Sequence, residues 1–352
     1  MTRYLITGGA GFIGSCLVRK LAKKSKHICV VDNLSYSSNL SNITAALKKK
    51  NCKFKKIDIS DTKKIFKLIY DYKPDIIFNL AAESHVDRSI DENYPFIKSN
   101  ILGTHSILES TRLYFNNLEK KKQKLFRFIH VSTDEVYGDL KNKKSSFKES
   151  RRFDPSSPYS ASKASSDHLV NAWHKTYGIP VITTNCSNNF GLYQHPEKLI
   201  PHMIISALMG KKLPIYGNGL QIRDWVYVED HVSALVKICQ KGKIGETYNI
   251  GGNNQLKNIN IVKKICQYLD EYFKKSKNES FFNLISYVKD RPAHDHHYAV
   301  NIDKIKKHIG WKPSKQFDKF LNKTIKWYLD NPSWWQKTLK KNYKLRRIGL
   351  KI

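Results

Sequence analysis

With 352 residues, the chain can bury a full core in one large or two moderate domains. Its 40% hydrophobic and 12% aromatic content excludes a disordered chain, and no apolar run is long enough to cross a bilayer. The formal net charge is +32, but only 11 of the 62 basic residues are arginine, which leaves 51 lysines.

Those lysines are scattered in runs at 48–50, 120–124, 143–144 and 340–341. A nucleic-acid reader leans on arginine and gathers its charge on one face. The lysines therefore read as solvated surface, with non-specific attraction of anions as the alternative. No specific nucleic-acid partner and no membrane are expected. Residues 4–18 imitate the apolar core of a secretion signal, but they carry Gly8, Gly9, Gly11 and Gly14 and lack a small-residue cleavage site. The six cysteines (16, 29, 52, 186, 239 and 266) are dispersed, with no CxxC pair and no metal-like pairing with histidine. That pattern fits free thiols in a reducing cytoplasm. The 13 histidines form neither HxxxH nor HExxH, so no metal is expected.

In chain order, a short apolar strand at 4–7 runs through a glycine turn into a helix ending near residue 24. Strands are predicted at 28–32, 54–58, 76–80, 126–132 and 181–185. Between them, one helix opens at Asp61 and two long helices span 100–116 and 160–177. This alternation predicts an α/β fold with a doubly wound, parallel, Rossmann-like sheet. Beyond residue 190 the pattern loosens, although 228–240 reads as a helix and 246–250 as a strand able to return to the sheet.

Gly9, Gly11 and Gly14 give the spacing GxGxxG between strand and helix, and Gly8 gives the alternative GxxGxxG. Glycines there permit a tight turn and let backbone N–H groups approach a pyrophosphate at the helix N-terminus. Asp32 closes the second strand, 18 residues past Gly14. A carboxylate there accepts from a ribose 2′-OH and repels a 2′-phosphate, which selects NAD over NADP. Asp58 and Ile59 follow the third strand, within reach of an adenine edge, and an ordinary helix-opening aspartate is the competing reading. The expected organisation is an NAD-binding domain over 1–190, rejoined by 226–250, with a smaller C-terminal substrate lobe from 191–225 and 251–352.

Residues 81–87 lie at the carboxyl end of the fourth strand, the side on which open α/β sheets bind ligands. Tyr159 and Lys163 stand four apart at the start of a helix and share a face. An ammonium beside a phenol favours phenolate and draws the tyrosine pKa toward working pH, so Tyr159 could take a proton from a sugar hydroxyl. Arg223, in a tract otherwise short of arginine, suits a diphosphate.

With TGGAGFIG at 7–14, Ser132 and Thr133 after the fifth strand and YSASK at 159–163, the chain resembles the extended short-chain dehydrogenase/reductase family. Within it, the run from Ser132 to Gly138 is most similar to the dTDP-glucose 4,6-dehydratase branch, because epimerases and decarboxylases lack the adjacent Asp134–Glu135 pair. AAESHVDRSI (81–90), NNFG (188–191), EKLIP (197–201), PIYGNG (214–219), RDWVYVEDH (223–231) and RPAHD (291–295) carry the match over essentially the whole chain.

The resemblance implies a hydro-lyase that oxidises the sugar at C4, eliminates water across C5 and C6, and returns hydride to C6, so that NAD is recycled. Tyr159 would be the base for oxidation, Thr133 would bond the C4 oxygen, Glu135 would take the C5 proton and Asp134 would protonate the departing C6 hydroxyl. Adjacent carboxyls suit two opposed protonation states if their environments separate their pKa values. Implied cofactor contacts are Gly8, Gly11, Phe12, Ile13, Gly14, Asp32, Asn33, Asp58, Ile59, Ala81, Tyr159 and Lys163. Implied substrate contacts are Ser84, His85, Ser132, Asn188, Asn189, Lys198, Leu199, Pro214, Tyr216, Arg223, Asn258, Arg291 and His294. A homodimer through the two long helices is also implied.

One departure stands out. The family pattern RPGHDRRYA is RPAHDHHYA here, with Ala293 for glycine and His296 and His297 for the arginine pair, which predicts a tighter loop and weaker anion binding. The alternatives are an epimerase or decarboxylase on the same fold, a 4,6-dehydratase for a UDP- or CDP-sugar, and a basic protein that binds NAD and a polyanion.

Overall fold

Leu5 and Ile6, Val30 and Val31, and Ile77 and Phe78 are all fully buried. Consecutive strand residues point to opposite faces, so these pairs need a sheet covered on both sides. The computed structural model describes residues 2–24, 27–140, 145–343, 345, 348 and 349; the lysine pair at 143–144 and the side chain of Lys341 lie outside the described residues.

The strands are β1 (Arg3–Thr7), β2 (His27–Asp32), β3 (Cys52–Lys56), β4 (Ile76–Asn79), β5 (Arg127–Thr133) and β6 (Val181–Cys186). They continue with β7 (Asn188–Phe190), β8 (Leu213–Tyr216), β9 (Ile222–Tyr227), β10 (Thr247–Ile250), β11 (Gln255–Lys257) and β12 (Ile285–Val288). Seven form one sheet in the order β10-β6-β5-β4-β1-β2-β3, every pair parallel. Strand order reverses between β1 and β4, which opens a crevice at their carboxyl ends where such sheets take their ligands. The remaining strands form a three-stranded sheet, β11-β9-β7, and a two-stranded one, β12-β8. Because β7 follows directly on β6, the three-stranded sheet stands at the same carboxyl edge as the crevice.

Three boundaries differ from the sequence reading, each for a local reason. The third strand is β3, two residues earlier than 54–58, because its ladder with β2 ends at the pairing of Asp32 with Lys56. The helix expected at 160–177 begins at Pro158, where Ser157 caps it: Ser160 N–H donates to Ser157 Oγ at 3.1 Å and Ser157 N–H to Ser160 Oγ at 3.0 Å. That cap places Tyr159 in the first turn. The helix expected from residue 100 is a π-turn over Ile97–Leu102 that becomes α-helical at Gly103. The wider turn carries Asn100 inward, where its Oδ1 accepts from Glu83 N at 2.9 Å and its Nδ2 donates to Ser162 Oγ at 2.8 Å, the kind of local insertion that collects at functional sites.

The helix Thr62–Tyr72 ends on Lys73, an exposed residue held at φ 54°, ψ 63°. A left-handed backbone costs a side-chain-bearing residue about 1–2 kcal/mol, which glycine avoids. Lys73→Gly should therefore raise unfolding free energy by about 1 kcal/mol, read from the urea midpoint; an unchanged or lower midpoint contradicts this account of the cap.

Candidate active site

The turn after β1 shows which glycine spacing faces the crevice. Gly8 sits at φ +66°, and a Cβ on it would stand 2.7 Å from Ala81 N; a Cβ on Gly14 would stand 2.1 Å from Gly8 O. A Cβ on Gly9 would instead meet Val30 Cγ1 at 2.6 Å, on the core side. Gly8, Gly11 and Gly14, with Phe12 and Ile13 between them, line a cavity of about 250 Å³, whereas Gly9 does not. Gly11 caps the helix Phe12–Ala22 without a side chain, so the first-turn N–H groups point at the cavity with no helical acceptor of their own.

Asp32 is buried at the end of β2 and accepts from Ala10 N at 3.0 Å and Leu34 N at 2.8 Å. Burial raises its carboxyl above the usual range, against the pull of those bonds. Asp32, Asn33, Ile59 and Ala81 all line the cavity. Asp58 does not: its Oδ1 accepts from Ser60 N at 2.9 Å and Ser60 Oγ at 2.8 Å, and Lys98 lies 3.5 Å from the other oxygen. The early end of β3 turns Asp58 into a local loop anchor beside Ile59. It does not start the next helix either, a role taken by Asp61.

At the other end of the same cavity stand Ser132, Thr133, Asp134, Glu135, Tyr159 and Lys163. The end of β5 delivers the first two and the following turn, Asp134–Tyr137, the next two, while the helix Pro158–Tyr177 delivers the last two. A second cavity of about 220 Å³ shares Ser84, Glu135, Asn188, Glu197 and Lys198 with the first, so Glu135 stands where the two meet. His85, Leu199, Pro214, Tyr216, Arg223, Asn258, Arg291 and His294 line the second cavity. In β8 the alternation buries Leu213 and Ile215 and turns Pro214 and Tyr216 outward. Arg223 is 5% exposed; its guanidinium lies over the Tyr298 ring at 4.3 Å and donates to Asp295 O at 2.8 Å. Two expected substrate contacts lie in the first cavity instead. Ser132 Oγ donates to Asp167 Oδ2 at 2.8 Å, and Asn189 is held by Ser187 O at 2.9 Å and by His231 Nδ1 at 2.9 Å.

The adjacent carboxyls meet different surroundings. Burial drives Asp134 well above its ordinary pKa, Glu135 and Asp224 add to the rise, and Arg223 opposes it. Burial also raises Glu135, but Arg291, Arg223 and Lys198 all pull it back. One carboxyl thus faces chiefly anions and the other chiefly cations, which makes Asp134 the firmer proton holder of the two.

The family model described as GDP-mannose 4,6 dehydratase matches residues 5–324. A dTDP-glucose 4,6-dehydratase of Neisseria meningitidis serogroup B is 50% identical over 99% of both chains; one from Escherichia coli is 51% identical, again over 99% of both. The chain belongs to the dTDP-glucose 4,6-dehydratase family. Among solved structures, the dTDP-glucose 4,6-dehydratase of Bacillus anthracis in complex with NAD superposes with a TM-score of 0.85 at 40% identity, covering 96% of this chain and 100% of that one. The dTDP-glucose 4,6-dehydratase of Streptomyces venezuelae, with NAD and TYD bound, gives 0.87 at 36% identity and the same coverage.

Two expectations for a dTDP-glucose 4,6-dehydratase need correcting here. Lys163 does not draw the Tyr159 phenol down: its Nζ reaches the Val131 carbonyl at 2.9 Å, and burial, reinforced by Glu135, places the phenol well above its ordinary value. Residues four apart share a helix face, but this lysine extends toward the end of β5. The substituted loop also differs from expectation. His296 is exposed, while His297 is buried with its N–H donating to Asp139 Oδ1 at 2.8 Å. Neither histidine lines either of the two cavities. Ala293 does matter, since it sits at φ +48° where glycine is favoured.

Sequence reasoning also passed over Glu83, Asp87 and Glu197, although all three fall in matched segments. Glu83, half-buried, is pushed up to about 7 by desolvation and by Glu197. Glu197 is bonded to Arg88 Nε at 2.7 Å and Asp87 to Arg291. Tyr343, Leu345 and Ile348 of the C-terminal segment line the second cavity, and nothing in their spacing signals it.

The raised pKa of Asp134 has a consequence for stability. In the unfolded chain this carboxyl ionises near its ordinary 3.8; in the folded chain it must keep a proton or bury a charge. The resulting loss of stability is absent below that value and grows as pH rises toward the folded pKa. Asp134→Asn should therefore gain on the order of 1 kcal/mol or more at pH 8, little at pH 4, and lose dehydration activity. Paired urea titrations at the two pH values check this; an equal gain at both contradicts it.

Proposed function

We propose that the chain catalyses NAD-dependent dehydration of dTDP-glucose to dTDP-4-keto-6-deoxy-glucose. What carries the reading is the unequal setting of Asp134 and Glu135 at the meeting point of the two cavities. An oxidation or epimerisation needs no second carboxyl acid there; an elimination across C5 and C6 does.

The residues of the first cavity fit NAD: a cradle at Gly8 and Gly14 that a Cβ would fill, uncapped N–H groups at a helix start, and the Asp32 carboxylate lining the same space. Bound there, NAD supplies a two-electron acceptor that takes hydride and gives it back and, while oxidised, a positive charge that favours phenolate at Tyr159. The residues carry the protons. Tyr159, as phenolate, accepts the C4 hydroxyl proton, with Thr133 beside it to hold the oxygen. Glu135 takes the proton at C5, made acidic by the C4 ketone, while Asp134 gives its proton to the C6 hydroxyl, which leaves as water. Glu135 then returns its proton to C5 as C6 is reduced. The proton gained by Tyr159 equals the one lost by Asp134, so the site resets by passing it on.

On this proposal Arg223 and Arg291 take the diphosphate, and Asn258, Pro214, Tyr216 and Leu199, which line the same cavity, take the nucleoside end. On this reading, residues 1–190 with 226–250 hold NAD, and 191–225 with 251–352 take the nucleotide sugar. A homodimer is proposed through the helices Gly103–Asn116 and Pro158–Tyr177, around which Leu102, Leu113 and Tyr177 are exposed. The six cysteines, all buried and free, fit a cytoplasmic setting.

Purified protein with NAD should convert dTDP-glucose, in preference to UDP- or CDP-glucose, to the 4-keto-6-deoxy product without net NADH. Stoichiometric NADH accumulation would identify a plain dehydrogenase instead. Glu135→Gln should stop dehydration yet leave a transient absorbance of reduced cofactor; full-rate dehydration by that variant removes Glu135 as the C5 base.

A further inference from the structure

Asp87 belongs to the short helix Val86–Asp91, which follows the carboxyl end of β4 in the large sheet. Its carboxylate nevertheless bonds to two residues far along the chain. Arg291 Nη1 donates to Oδ1 at 2.5 Å, and Tyr216 OH donates to Oδ2 at 3.0 Å. Tyr216 is the last residue of β8, and Arg291 lies three residues past β12, the strand paired with β8. A two-stranded sheet is marginal by itself. Asp87 therefore fastens the open ends of this one to the cofactor half of the molecule.

The loop that carries Arg291 needs such an anchor. Two residues further on, Ala293 sits at φ +48°, a conformation that side-chain-bearing residues disfavour. Arg291 itself is largely buried, with a side chain 15% exposed. Its Nε is buried without a hydrogen-bond partner. The Asp87 bond thus fixes Nη1 of a guanidinium whose Nε is unpaired, and both residues line the second cavity. The cations in that cavity can hold a diphosphate only if they stay put, and a long side chain on a strained loop does not stay put unaided.

We propose that Asp87 is a positioning residue that, braced by Tyr216, clamps Arg291 in the geometry needed to receive the diphosphate of the nucleotide sugar. The proposal rests on the dehydratase reading for its substrate. It predicts a larger effect on binding than on chemistry, because Arg291 is one of three cations beside Glu135 and Arg223 and Lys198 stay in place.

The test compares Asp87→Ala, Asp87→Asn and Tyr216→Phe with the parent, using steady-state kinetics on dTDP-glucose and calorimetric binding of inorganic pyrophosphate. Asp87→Ala should raise KM and the pyrophosphate Kd by about tenfold or more, with kcat changed less than about threefold. Asp87→Asn, which keeps one acceptor oxygen, should recover most of that loss, and Tyr216→Phe should cost only a fraction of it. If Asp87→Ala leaves KM and pyrophosphate binding within about twofold of the parent, the clamp is wrong. A fall in kcat as deep as that in kcat/KM, with pyrophosphate binding intact, also overturns it. Should Asp87→Ala fail to fold, Asp87→Asn and Tyr216→Phe decide: unchanged pyrophosphate binding in both rejects the clamp, and graded weakening supports it. Failure of the dehydratase reading shows separately, as parent protein that does not turn over dTDP-glucose while the pyrophosphate comparison still reads the clamp.

Discussion

The cleft depends on keeping two neighbouring carboxyl groups away from water while letting cations reach only one of them well. Desolvation alone would raise Asp134 and Glu135 together and leave both protonated, useless as an acid–base pair. The separation comes from Arg291, Arg223 and Lys198 around Glu135, against Glu135 and Asp224 around Asp134. Apart from Glu135 itself, those partners come from distant parts of the chain, so the chemistry requires the complete fold, not the loop that carries the pair.

The architecture serves that requirement through a few fixed points. The crossover between β1 and β4 opens the crevice, and the parallel pairing of Thr133 on β5 with Cys186 on β6 sets where the loop of carboxyls emerges. The cap at Ser157 sets where Tyr159 stands. The small sheets, with β9 carrying Arg223 and β8 carrying Pro214 and Tyr216, bring the cations over the carboxyl end. Oxidation, elimination and reduction can then share one enclosed space, in which the hexose need not leave between steps.

The sequence is most legible where local chemistry decides the conformation. The glycine turn, the alternation of strand and helix, and the motifs near 133 and 159 all rest on neighbours a few residues apart. It is least legible where a long-range contact decides. The glycines at 8 and 9 look interchangeable in sequence, and only the approach of Ala81 on one side and Val30 on the other separates them. Lys163 shares a helix face with Tyr159, yet the backbone carbonyl that claims it lies on β5. His296 and His297 look like lost cations until the fold shows that neither lines either cavity. Asp87 and Glu197 are ordinary acids until Arg291 and Arg88 arrive from elsewhere.

A labelling experiment tests the central claim most directly, that one enclosed site moves hydrogen between two carbons of a single sugar. The parent protein is given dTDP-glucose deuterated at C4, mixed with undeuterated dTDP-glucose labelled uniformly with carbon-13, and the product is read by mass spectrometry and NMR. The account predicts deuterium at C6 of the molecules that carried it at C4, and none on the carbon-13 population. Deuterium lost to solvent, or shared between the two populations, would contradict a single closed site in which Asp134, Glu135 and Tyr159 act on one bound hexose.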